Sequence, residues 1–233
     1  DEEARDAIGK FGAIKKMIAE MEARRYLIET IDHALSPADL SNASCERALL
    51  LKALTAELLG TAPGSLAYNA GQVFGGTGYS EDDVLSKYYR DASAWRFLGQ
   101  ANSEILRTHG QALLRTWRPE APRLASVAGE TPIFEQVAQR KALQGELDEI
   151  RNLRSRLRGV CDLAVERRGQ ATHDGKVPAE AAEALARQDA HLLACKALLF
   201  RTHARFEHAF DGEIETALLR VWLENVSVSL DQF

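Results

Sequence analysis

Apolar residues recur along most of this chain at steps of three and four, the spacing that places them on one face of a helix. Phe11, Ile14, Ile18 and Met21, continued by Ile28, Ile31 and Leu35, predict a helix of about 25 residues. Ser36-Pro37 closes it, because proline cannot extend the hydrogen-bond ladder. A second helix opens at Asn42 or Ser44, both able to cap an N-terminus. It runs through Leu49, Leu50, Ala53, Leu58 and Leu59 towards Gln72, with a kink or break at Pro63-Gly64. Gly75-Gly76 stops the pattern, and GGTGYSEDD reads as a loop. Ser80 and Asp83 have the spacing of a capping box, opening a short helix through Val84, Leu85 and Tyr88. RFLGQANSEI, Arg96 to Ile105, reads as a bend, and Glu104 to Trp117 is helical again. Three further helical stretches run from Ile133 to near Arg168, from Ala179 to near Phe210 and from Glu213 to near Leu230. No segment alternates as a strand does, so the expected fold class is all-α. Residues 1–117 form one helical domain, 118–131 a proline-rich linker and 132–233 a second helical bundle of antiparallel neighbours.

Composition narrows the functional classes. A chain of 233 residues that is 45% hydrophobic is long enough for one large core or two modest ones. With 27% charged residues and a net charge of -5, no global positive field is present to hold nucleic acid or anionic lipid. Cys45, Cys161 and Cys195 have neither the spacing of a zinc site nor that of a disulfide framework, which fits a reducing compartment and a cytoplasmic setting. No apolar run reaches the roughly 20 residues needed to cross a bilayer, and no secretory signal opens the chain. The first residue is Asp1, not Met, amid polar residues just ahead of a strong helical pattern, so we expect a fragment of a longer protein.

Generic chemical constellations are scarce. His191 and Cys195 stand four apart on one helix but lack the second pair that a metal site needs, and His203 and His208, five apart, face different sides. Arg151, Arg154, Arg156, Arg158, Arg167 and Arg168 are interleaved with Glu146, Asp148, Glu149, Asp162 and Glu166, as on a solvated helix face with local ion pairs. No Ser-His-Asp arrangement, P-loop or dinucleotide-binding glycine pattern is legible.

One run carries more. NAGQVFGGTGYSEDDVLSKYYRDASAWRF, Asn69 to Phe97, resembles the signature of the acyl-CoA dehydrogenase family. The final helical domain of that family carries a Gln-x-x-Gly-Gly-x-Gly-aromatic turn, an acidic helix and Tyr-Arg-Asp. Gln72, Gly75, Gly76, Gly78, Tyr79, Tyr89, Arg90 and Asp91 match it, and FGAIKKMIAEMEARRYLIETI resembles the preceding helix. The resemblance covers about half of the chain. It implies a turn that contacts FAD held mainly by a neighbouring subunit, with Gln72, Gly75, Gly76 and Asn102 as cofactor contacts. Glycines suit that role, since backbone N–H groups approach a pyrophosphate most closely where no Cβ intervenes. Arg90 and Asp91 are expected to form an ion pair that fixes the loop.

The resemblance also gives meaning to the bend. Many relatives continue with aromatic-Glu-Gly-Thr, and the Glu takes the α-proton of an acyl thioester as hydride passes to FAD. Counted back from Ser103-Glu104-Ile105, Gln100 stands at that Glu and is a substrate-binding candidate. Counted forward from Phe97, Leu98 stands there. Neither is a base, and glutamine donates and accepts hydrogen bonds without taking a proton. Three explanations stay open: a base on an earlier helix, flavin used for another reaction, or a relative that has lost catalysis and acts as a thioester-binding or interaction module. Residues 132–233 resemble, in position and helical character, the extension of the very-long-chain branch, which implies a homodimer. The membrane association of that branch is not carried over, because the linker lacks a basic amphipathic segment. Further implied partners are an acyl-CoA or acyl-carrier-protein thioester and an electron-transfer protein.

Overall fold

In a computed structural model, residues 11–34, 42–80, 83–117, 137–171, 178–207 and 212–231 are described. Among them the fold is all-α, with no strand. Helix α1 spans Gly12–Ala34 and α2 spans Asn42–Leu59. Where the sequence allows a kink or a break, the chain breaks: Gly64 adopts φ +85° and the Ser65 hydroxyl donates to the Ala62 carbonyl at 2.7 Å, before α3 begins at Leu66–Phe74. The predicted glycine loop contains a single helical turn, α4, Gly76–Tyr79. Helix α5 is Val84–Ala94, and its cap is Asp83 rather than Ser80: the Leu85 N–H donates to Asp83 Oδ1 at 2.8 Å, so the predicted capping box gives way to a local Asp cap. Helix α6 is Asn102–Arg115, α7 is Gln144–Ala171, α8 is Ala179–Glu207 and α9 is Glu213–Leu230. Of the stretch expected to be helical from Ile133, residues 133–136 lie outside the described residues and 137–139 are helical, but an extended Arg140 and a 3-10 turn, Lys141–Leu143, interrupt it before α7. The expected linker at 118–131 lies outside the described residues.

Packing follows from how much of each helix is apolar. On α8, Ala182, Leu185, Ala186, Ala190, Leu192, Ala194, Leu198 and Leu199 are all buried, so it is apolar nearly all round and must be enclosed by other helices. It is: α1, α2 and α6 pack on it from the first half, α7 and α9 from the second. One core therefore runs from Leu27, Ile31 and Leu54 through Leu106 and Leu113 to Leu147, Leu153, Leu199 and Leu223.

Polar ties follow the same route. Arg201 of α8 lies over the Tyr26 ring at 4.0 Å and donates to Thr30 Oγ1 at 2.8 Å, while the Tyr26 hydroxyl donates to Glu215 on α9 at 3.0 Å. Trp117 donates through Nε1 to Asp162 on α7 at 2.7 Å. The arginine-rich face of α7 departs from the solvated surface that its charge pattern suggests. Arg151 does pair locally with Asp148 at 3.1 Å, but Arg154 is buried and Arg156 holds the end of α9 through Ser227 and Asp231.

Candidate cofactor cleft

The break after α2 turns the chain back, so that α3 lies along α1 and α5 packs on α3. Asn69 of α3 donates to Glu20 of α1 at 3.2 Å, which fixes the turn that follows. Gly75 ends α3 with φ 56° and ψ -136°, and its N–H donates to the Gly71 carbonyl at 3.0 Å. A side chain at that φ is strained, so the glycine is required by the backbone itself. Gly78 is required by packing, since a Cβ there would lie 2.8 Å from Leu85 Cδ2 and 2.9 Å from Phe74 Cβ. A Cβ at Gly76 would meet nothing within 4 Å, which leaves that backbone open to an approaching group.

Between these elements lies a cleft of ≈ 560 Å³ lined by Tyr68, Gln72, Gly75, Gly78, Tyr89 and Arg90 among others. Gln72 and Gly75 both line this cleft, and Gly76 begins α4 beside them. Arg90 is the only charged side chain among the described residues of the lining. The expected Arg90–Asp91 pair does not form. Asp91 instead takes Lys87, one helical turn away, at 2.6 Å, because neighbouring residues on a helix point apart whereas residues four apart meet. Arg90 thus brings a positive charge to the cleft beside tyrosine rings and an amide, groups that fit a ligand both anionic and aromatic, as FAD is.

Gln100 and Asn102 lie elsewhere. Gly99, at φ 70°, turns the bend, and the Asn102 N–H closes it by donating to the Arg96 carbonyl at 3.1 Å. Lys52 of α2 reaches across and donates to both the Gln100 carbonyl and Asn102 Oδ1 at 2.8 Å. Asn102, buried, donates in turn to the Ala53 carbonyl at 3.1 Å. Both ends of its amide are therefore used within the chain. Burial holds the Lys52 ammonium below the ordinary lysine range. The exposed Gln100 side chain borders a separate cavity of ≈ 190 Å³ between α2 and α6. Lys52 escapes sequence reasoning because a lysine in an apolar helical run has no motif; only its position opposite the bend gives it a role.

The remaining candidates have ordinary surroundings. Cys195 is buried, and His191 lies 6.4 Å from the Trp222 ring in a stacked arrangement. Among the described residues no three His, Cys, Asp or Glu side chains group as a metal would need, and no helix is long and apolar enough to cross a membrane. His203 is buried and accepts from Arg140 at 3.4 Å; His208 lies outside the described residues.

Residues 1–113 match the family model described as acyl-CoA dehydrogenase, C-terminal domain. This part of the chain is an acyl-CoA dehydrogenase C-terminal domain. The match spans α1 to α6 up to Leu113, and with it both the glycine turn and the bend, and it supports a dehydrogenase-like flavoprotein. No curated protein matches the chain.

Proposed function

We propose that this chain is the C-terminal portion of a flavoprotein that dehydrogenates an acyl thioester between its α and β carbons, with FAD accepting the hydride. The observation that carries the reading is the cleft in which Gln72, Gly75 and Arg90 converge, within a segment of matched family. Gln72 and Arg90 would hold the cofactor there, the amide by hydrogen bonding and the guanidinium by charge. Gly76 leaves the adjoining backbone open to it. FAD supplies the hydride acceptor when bound, and the residues of this chain orient it. The thioester is carried by coenzyme A or by an acyl carrier protein, a separate electron-transfer protein reoxidises the flavin, and the working form is a homodimer.

A second reading is favoured by the bend, where Gln100 and Leu98 leave no carboxylate. On that reading the protein binds a thioester or another protein without oxidising it. One experiment separates the two: a panel of acyl-CoA thioesters is added anaerobically to the FAD-loaded full-length protein. Bleaching of the flavin absorbance supports the dehydrogenase. Bound thioester with an unbleached flavin across the panel overturns it and leaves the binding module.

A further inference from the structure

α6 and α8 cross closely enough to bring two ionisable side chains together, with His109 Nε2 lying 3.2 Å from Asp189 Oδ2. Asp189 is fully buried, and His109 is 13% exposed, so the imidazole stands between the carboxylate and the outside. With Asp189 accepting from Nε2–H, the tautomer is fixed and Nδ1 keeps its lone pair. No other described residue bonds the ring.

The same imidazole lines the ≈ 190 Å³ cavity that Gln100 borders. Its walls include Leu49, Leu50, Ile105 and Leu113, and Glu46 is the only carboxylate among the described residues that line it. That volume is about six water molecules at liquid density, enough for the acyl end of a thioester but not for its carrier. An imidazole oriented by a buried carboxylate beside an apolar cavity is the arrangement of a proton acceptor.

We propose that His109, held by Asp189, is a general base that removes the α-proton of an acyl thioester whose acyl end enters this cavity. This rests on the thioester reading above. The α C–H bond breaks, the electron pair delocalises onto the thioester oxygen, and the proton goes to His109 Nδ1. Asp189 stabilises the imidazolium and is a positioning residue, while the Gln100 amide can donate to the developing oxyanion. Returning the proton restores the thioester, so this step by itself consumes no oxidant. In deuterated water it exchanges the α position.

The test follows α-deuterium uptake by mass spectrometry in short-, medium- and long-chain acyl-CoA, mixed with full-length protein and no electron acceptor, with thioester affinity measured by calorimetry. The expected result is exchange by the wild type and a fall of about 100-fold or more in His109→Gln, whose amide still donates to Asp189, with affinity little changed. Asp189→Asn should slow exchange by more than about tenfold, again at unchanged affinity. A merely structural pair would shift the melting temperature and leave exchange per folded molecule alone. That result, or loss of exchange in Glu46→Gln with His109→Gln unaffected, overturns the proposal. Should the variants not fold, diethylpyrocarbonate on the wild type decides: loss of exchange should track carbethoxylation of His109 and be blocked by acyl-CoA, and tracking another histidine overturns it. Thioester bound without exchange refutes this inference alone. No thioester bound at all refutes the reading beneath it as well.

Discussion

Exclusion of water sets the protonation of three side chains on α7 and α8. Burial pushes the Cys195 thiol up to about 12, and burial together with the Asp189 and Asp162 carboxylates pushes Cys161 up to about 12. Both are thiols at neutral pH and poor nucleophiles, whereas Cys45 is exposed. A thiol-reactive disulfide reagent should therefore titrate one cysteine in the native protein and all three in denaturant; fast labelling of Cys161 or Cys195 in the native state would contradict their burial. His191 moves the other way, pushed down to about 4, chiefly because burial disfavours the imidazolium. In the unfolded chain a histidine takes its proton near pH 6.5. Between pH 6.5 and about 4 the unfolded state thus binds the extra proton, and stability falls as pH falls. The loss is at most about 3 kcal/mol, less to the extent that the half-buried ring keeps some water. Denaturant melts of His191→Gln against wild type at pH 7 and pH 4.5 should show a smaller pH-dependent loss in the variant. Equal losses would place the acid sensitivity elsewhere.

At the scale of elements, the helices were largely legible because apolar period and capping chemistry act over a few residues. Gly75 was legible as a helix terminator for the same reason, and Gln72 through the motif around it. Contacts between distant segments were not. His109 and Asp189 are 80 residues apart, and Lys52 meets a bend 48 residues further on, so no local pattern relates them. Gly110 is the clearest case. It looks like a weak spot in α6, yet an added Cβ would stand 2.0 Å from the Ala182 carbonyl oxygen of α8, so the glycine is what lets the two helices touch. Gly110→Ala, normally stabilising in a helix by about 1 kcal/mol, should here destabilise by about 2 kcal/mol or more, read as a lower urea midpoint. Asp83→Ala removes the cap of α5 and should cost about 1 kcal/mol, with faster amide exchange confined to the first turn of α5. Exchange unchanged at Leu85 would refute the cap.

For the molecule as a whole, the helices of the second half are part of what stabilises those of the first. α8 covers α1, α2 and α6, so a fragment of residues 1–131 would leave Leu27, Ile31, Leu54, Leu106 and Leu113 without their partners. That fragment should bind a hydrophobic dye and lack a cooperative thermal transition; a sharp melt near that of the whole chain would show that the first half packs by itself. The same arrangement makes α8 and α9 a support for the candidate cofactor cleft, because α1, which anchors α3 through Asn69, is itself clamped by Arg201 and Glu215. The cleft beside α3 is proposed to hold part of a flavin cofactor. Titration of FAD into apo full-length protein, wild type against Gln72→Ala/Arg90→Ala, tests it most directly. The affinity should be at least about tenfold weaker in the double variant, with the melting temperature of the apo protein unchanged because both side chains are exposed. Equal FAD affinity in the two proteins would contradict it.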